Sequence, residues 1–256
     1  MKVALNADLG EGFGPWRMGD DAALLPWIDS ASLACGFHAG DPETMLRAVR
    51  QAAAAGVSLG AHPGFADLLG FGRRQIAVSP GEIPALIAYQ VGALQAICAL
   101  EGQRVSHVKP HGALYNMAAA DPALAEALVG AVAGLDRGLI LVAPAGSALA
   151  AAAEAAGVRL AAEGFCDRGY EADGALSPRG LPGAVIADPA EAAARAVAMV
   201  RDQAVVTREG KRIPTRIDTL CLHGDGADAP VLARAVAEAL AGAGIARAAL
   251  PALGLG

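Results

Sequence analysis

His107-Val108-Lys109-Pro110-His111-Gly112 alternates polar and apolar side chains at every step until a glycine ends the run. A strand turns successive side chains to opposite faces. Val108 and Pro110 then share one face, and His107, Lys109 and His111 share the other. On a helix, the H-x-x-x-H spacing would make a metal pair about one turn apart. On a strand it separates the two rings by about 13 Å, at about 3.3 Å per residue, too far for one ion. His111 therefore reaches the rim, while His107 is a deeper, hydrogen-bonding residue.

The same alternation recurs outward from this stretch. In Val3–Asp8, Asn6 and Asp8 oppose Leu5, Ala7 and Leu9, and in Thr219–His223, Thr219, Cys221 and His223 oppose Leu220 and Leu222. Further strands are expected at Ser32–His38, Ser58–His62, Leu139–Pro144 and Arg159–Phe165, giving seven with Val105–His111. The fifth is apolar on both faces and offers little chemistry. Between them run Ala-rich helical patterns with marked ends. Asp41-Pro42, Ser79-Pro80, Asp121-Pro122 and Asp188-Pro189 each offer a capping oxygen followed by proline at the first helical position. Ser79 with Glu82, and Asp188 with Glu191, have capping-box spacing. Gly56, Gly102 and Gly157 stand where left-handed C-terminal caps belong.

Strands alternating with helices imply βαβ units and a parallel sheet. No G-x-G-x-x-G turn follows the first strand, so the usual dinucleotide fold loses support. A closed seven-stranded (β/α) barrel, TIM-like, is expected instead. There the apolar faces meet the outer helices and the chemistry collects at the C-terminal strand ends.

With 256 residues, 54% apolar and 18% charged, the chain can bury a large core, and residues 1–256 read as a single domain. The net charge of −6 argues against a nucleic-acid partner. Ile83–Leu100 is uncharged for 18 residues, but Pro84, Gln90 and Gln95 fit a buried amphipathic helix better than a membrane span. An acid, Asp8, stands where a signal peptide needs an apolar run, so a cytoplasmic location is expected. Cys35, Cys98, Cys166 and Cys221 form no CxxC pair and read as buried thiols.

Four histidines stand at expected strand ends: His38, His62, His111 and His223. Asp8 ends the first strand and Glu11 follows it. Together they suggest one active site, with Asp8 as a general base or metal ligand. The long stretches Gly64–Ser79, with Arg73 and Arg74, and Cys166–Asp188, opening with Asp167-Arg168, read as binding loops. Arg73, Arg168 and the inward Lys109 suit an anionic substrate. There is no P-loop and no G-x-S-x-G elbow.

Six ordered blocks carry a family resemblance: Asn6-Ala7-Asp8-Leu9-Gly10-Glu11, Ala34–Pro42, Gly60-Ala61-His62-Pro63-Gly64, Gly70-Phe71-Gly72-Arg73-Arg74, Val108–Asn116 and His223-Gly224-Asp225. In these the chain resembles the LamB/YcsF family, the 5-oxoprolinase A subunits. Ala7 replaces a common Cys, and Cys166 a common Ala. The resemblance implies a distorted barrel of the glycoside hydrolase/deacetylase type. It also implies ATP-dependent opening of 5-oxo-L-proline to L-glutamate together with subunits B and C, ATP being a co-substrate of the complex. Catalytic roles fall to Asp8, His38, His62, His111 and His223. Substrate binding falls to Glu11, Arg73, Lys109, Asp167, Arg168 and Asp225. Deacetylase-type relatives imply a zinc or manganese ion on Asp8, His38 and His62. Two alternatives stand beside this: a stand-alone metal-dependent amidohydrolase or deacetylase, and a non-catalytic binding subunit that activates its partners.

Overall fold

The computed structural model describes residues 1–223 and 228–255. In chain order the elements are β1 (Lys2–Leu9), α1 (Asp21–Leu24), β2 (Ser30–Ala34), α2 (Pro42–Ala54), β3 (Ser58–His62), α3 (Ile83–Leu100), β4 (Val105–Val108), α4 (Gly112–Ala120), α5 (Pro122–Leu135), β5 (Ile140–Pro144), α6 (Ala148–Ala155), β6 (Leu160–Phe165), α7 (Pro189–Asp202), β7 (Ala204–Val206), β8 (Arg212–Pro214), β9 (Thr219–Leu222), α8 (Ala229–Gly242) and β10 (Ala246–Arg247). Strands β1 to β6 pair in sequence and in parallel, β6 pairs with β9, and β9 returns to β1. The expected seven-stranded barrel is thus closed. The short β10 adds outside it to the start of β1. β7 and β8 form a separate antiparallel hairpin whose turn spans residues 207–211.

The alternation of side chains builds two cores. Outward residues such as Leu5, Ala7, Leu33, Leu141 and Leu220 join the buried faces of the helices. Inward Ala4, Ile140, Val142 and Ala161 meet Leu250, which plugs the barrel interior from the C-terminal tail. That explains why β5 is apolar on both faces: its inner side lines the plug. Above this layer the interior becomes polar. The amide of Asn6 donates to Glu163 Oε1 at 2.9 Å and to Thr219 Oγ1 at 2.8 Å. His107 fills the space beside Gly60, where a Cβ would lie 2.1–2.5 Å from its ring.

Three helix caps behave as expected. Asp41, Asp121 and Asp188 accept from backbone amides of their first turns, each with proline at the start. Ser79 and Glu82 form a reciprocal capping box. Helix α3 is long and apolar enough to cross a membrane by length and composition. One face of it, carrying Ile83, Ile87, Val91, Leu94 and Cys98, is nevertheless buried. Gln90 on that face grips Gly64, accepting from its N–H and donating to its carbonyl, each at 2.9 Å. The helix thereby anchors the loop that leaves β3 just after His62.

Two strand expectations are corrected. β2 runs from Ser30 to Ala34, so His38 is not on a strand; it lies in the β2–α2 loop. Gly36 at φ +93° and Gly40 at φ +77° turn the chain there, a conformation that a strand reading by alternation misses. β4 likewise ends at Val108, and His111 is the residue that precedes α4.

Candidate active site

Asp8 is an inward residue at the end of β1. Its Oδ1 accepts from Lys109 Nζ at 3.1 Å, and its Oδ2 lies 3.4 Å from His62 Nε2. Burial opposes its charge, but His62 and Lys109 more than offset this and hold the carboxyl well below its ordinary range. Asp8 is therefore ionised at neutral pH.

The ammonium of Lys109 is buried beneath it. It has three protons and four acceptors at hand: Asn6 Oδ1 and Asp8 Oδ1 at 3.1 Å, and Cys221 Sγ and Glu163 Oε1 at 3.0 Å. Burial disfavours its charge, while Asp8, Cys221 and Glu163 raise its pKa well above the usual value. The lysine expected to bind substrate thus lines the cavity with its ammonium among protein acceptors. Its donors already serve the protein, and it acts by holding Asp8 and Glu163. Glu163 also accepts from Tyr115 Oη at 2.5 Å.

Three histidines converge beside Asp8. His62 Nδ1 donates to the carbonyl of Lys109 at 2.6 Å, and His111 Nε2 donates to that of Phe71 at 2.8 Å. The remaining nitrogens, His62 Nε2 and His111 Nδ1, face each other at 3.1 Å. His38 stacks on His111 with ring centroids 3.7 Å apart and nearly parallel. Glu11 Oε1 lies 3.3 Å from His38 Nε2 and 3.6 Å from His111 Nδ1. Burial depresses the pKa of His38 well below its usual value and that of His111 to about 3, with neighbouring histidines adding to the effect. Both rings are therefore neutral. Gly72, at φ +62°, lets the β3–α3 loop pass over them; a Cβ there would approach His38 Cβ to 2.7 Å and His111 Cδ2 to 2.9 Å.

Glu11, His38, His62 and His111 offer donor atoms within 4.8 Å of one another, a set that could hold a metal ion. Asp8 is not among them. Of the expected ligand trio of Asp8, His38 and His62, the two histidines belong to this set, while Asp8 lies beside it, with Oδ1 engaged by Lys109 and Oδ2 3.4 Å from His62 Nε2.

His223 stands apart from the other three histidines. Its Nδ1 pairs with Asp167 Oδ2 at 2.6 Å, and its ring stacks on Phe165. Burial works against the charge on Asp167, but His223 outweighs it and lowers the carboxyl's pKa. Both groups of histidines still meet one cavity of about 740 Å³, whose walls include Asp8, Glu11, His62, His111, Lys109 and His223. His38 and Asp167 stand behind these residues.

Arginines ring the mouth. Arg73 and Arg179 are exposed cavity residues, and the Arg73 guanidinium lies 4.9 Å above the Phe71 ring. Arg168 is buried, donating to Ser177 O at 2.6 Å and Ala184 O at 3.1 Å, so it ties down the loop that follows β6. Burial, then Arg179 and Arg73, lower its pKa, and Asp167 opposes them. Arg74 pairs with Asp67 in the β3–α3 loop. Asp225 lies outside the described residues. All four cysteines are free and buried, and burial raises the Cys35 thiol to about 12 and Cys221 well above its usual value. Neither suits a nucleophile.

Sequence reasoning misses Glu163, Tyr115 and Arg179. Glu163 had a signal, being the one acid in an otherwise apolar strand and on its inward parity. Arg179 had none, since a loop arginine is usually a solvated charge.

Comparisons with known proteins agree with this architecture. The LamB/YcsF family pattern matches residues 3–254. The protein named as the A subunit of 5-oxoprolinase in Methylococcus capsulatus is 56% identical over 97% of this chain and 95% of its own length. That of the same name from Rhodopseudomonas palustris is 54% identical over 95% and 96%. The crystal structure of the lactam utilization protein from Thermus thermophilus superposes with a TM-score of 0.92 at 49% identity, covering 98% of this chain and all of that one. With a family match over nearly its full length and relatives above half identity, this chain belongs to the LamB/YcsF family.

Proposed function

We propose that this chain performs the hydrolytic step of an ATP-dependent 5-oxoprolinase, opening 5-oxo-L-proline to L-glutamate alongside subunits B and C. The names of its relatives support the reading, and so does the fold they share. The observation that carries it is the state of Asp8, a cavity carboxylate held ionised by Lys109 and His62. A carboxylate this acidic is a weak base. It can serve attack on an electrophile that is already activated, but an amide is not one.

ATP supplies that activation. In this reading the partner subunits phosphorylate the lactam oxygen. Water then adds to the ring carbon as Asp8 takes its proton. The carbon–nitrogen bond breaks with proton delivery to nitrogen, leaving an acyl phosphate, and a second water releases phosphate and glutamate. The absence of a P-loop motif from this chain fits that division of labour. Arg73 and Arg179 at the mouth are the cations offered to the carboxylate and phosphate of the intermediate. His223, held by Asp167 at the end of the strand that pairs with β1, is a further group to give or receive a proton. A divalent ion, zinc or manganese, belongs to the reading and would polarise a bound oxygen. A cytoplasmic location accompanies it.

The test is reconstitution with 5-oxoproline and ATP. Glutamate should form only when this chain and subunits B and C are all present, and Asp8→Asn should lower turnover by about 10²–10⁴-fold. Unchanged turnover in Asp8→Asn would refute the role given to it. The four-donor cluster favours a second reading, a stand-alone metal-dependent amidohydrolase. Lactam hydrolysis by the chain alone, without ATP, would select it.

A further inference from the structure

We propose that Glu11, His38, His62 and His111 form a binding site for one zinc ion, with Asp8 beside the site and outside its ligand set. The positions of the ring protons point to this. A carbonyl can only accept, so the 2.6 Å contact to Lys109 O places the proton of His62 on Nδ1. The 2.8 Å contact to Phe71 O likewise places that of His111 on Nε2. With both rings neutral, as metal ligands are, the two nitrogens that face each other at 3.1 Å both present lone pairs. Two lone pairs at that distance repel, and a carboxylate oxygen, Glu11 Oε1, lies 3.6 Å from one of them. A cation between them turns this arrangement into an attractive one.

A shared proton would join only two of these atoms. The structure gathers donors from four residues, with 3.1, 3.3 and 3.6 Å between neighbouring donor atoms. Donors on a tetrahedral zinc at about 2.0–2.1 Å are separated by about 3.4 Å. Histidines that bind metals characteristically donate their second ring N–H to a backbone carbonyl or carboxylate, as His62 and His111 do here. Three imidazole nitrogens with one carboxylate oxygen suit zinc better than manganese or magnesium, which favour oxygen-rich shells.

The fold also preserves the site. Phe71, whose carbonyl orients His111, has φ +53°, rare for a residue with a side chain. Its neighbour Gly72 leaves room for the rings of His38 and His111. Nδ1 of His38 is buried without a hydrogen-bond partner among the described residues, so the tautomer of that ring alone is left for a ligand to choose. Lys109 engages Oδ1 of Asp8, and Oδ2 stays beside the site, 3.4 Å from His62 Nε2, to act on whatever the site binds.

Metal content of the isolated chain tests this independently of any lactam or partner. After chelator treatment, dialysis against zinc and removal of excess, about one zinc per chain is expected. Cobalt(II) in its place should give the visible absorption of a four-coordinate nitrogen and oxygen site. Glu11→Gln and His62→Gln should each weaken zinc binding at least about tenfold, and Gly72→Ala should do so by displacing two rings. Asp8→Asn should retain zinc and lose turnover in the complex. Circular dichroism of the metal-free variants identifies any that fail to fold, for which His111→Asn is the replacement. A wild-type chain without stoichiometric zinc overturns the proposal, as does full zinc retention by folded Glu11→Gln and His62→Gln. Zinc loss in Asp8→Asn equal to that in Glu11→Gln overturns the ligand assignment.

Discussion

Lys109 Nζ lies 3.1 Å from Asp8 Oδ1 inside the barrel, and the two residues are 101 positions apart in the chain. Neither charge is tolerable there alone, because desolvating an unpaired ion costs several kcal/mol. Lys109→Met should therefore do two things: destabilise the chain by about 3–5 kcal/mol and lower turnover through misplacement of Asp8. Urea unfolding and assay of the complex measure both. A loss under about 1 kcal/mol with normal turnover would mean that the pair organises nothing. Glu163→Gln, which keeps a hydrogen-bond acceptor for Tyr115, should cost less than Lys109→Met.

The exposed arginines at the mouth make a different kind of prediction. Arg179→Ala and Arg73→Ala should raise KM for the anionic substrate more than they lower kcat, because they attract it rather than react with it. The penalty should shrink as ionic strength rises, since exposed charges are screened. A kcat defect that ignores salt would point to a role at the reacting atoms instead.

Gly60 and His107 form a steric pair. A Cβ at Gly60 would lie within 2.5 Å of the His107 ring, so Gly60→Ala should cost at least about 1–3 kcal/mol. Adding His107→Ala should recover much of that loss, because the obstructed ring is gone. Thermal unfolding of the two single variants and the double variant closes the cycle. Additive losses would show that the ring does not occupy that space.

Asp41 gives a pH dependence with a definite sign. Its carboxylate caps α2, accepting from Glu43 N, Thr44 N and Thr44 Oγ1, and also from Gly14 N. Burial, the largest single influence, raises its pKa, but the Thr44, Gly14 and Glu43 hydrogen bonds together lower it from 3.8 to about 2. A depressed folded pKa gives stability that is present above the unfolded value and lost as pH falls through the folded one. Asp41→Ala should cost about 0.5–2 kcal/mol near pH 6. The gap from wild type should begin to close below about pH 4 and vanish toward pH 2. Denaturant midpoints across that range test it, and a constant gap would contradict the capping role.

The alternation of polar and apolar residues determined most of the barrel by itself. Seven strands, their inner faces and the proline-marked helix starts were all legible, because a strand's period of two and an N-cap are local properties. The inward placement of Asn6, Asp8, Lys109 and Cys221 followed from the same parity. Tertiary structure alone decided how those residues divide the work. His38 left its expected strand because Gly36 and Gly40 turn the chain at positive φ, which alternation cannot register. Glu11 joined the histidines in the four-donor cluster beside Asp8, and the Lys109 ammonium came to lie between Asp8 and Glu163. His223 paired with Asp167 at the end of the strand beside β1. Each of these outcomes depends on distances between residues on different strands, and those distances exist only once the barrel has closed.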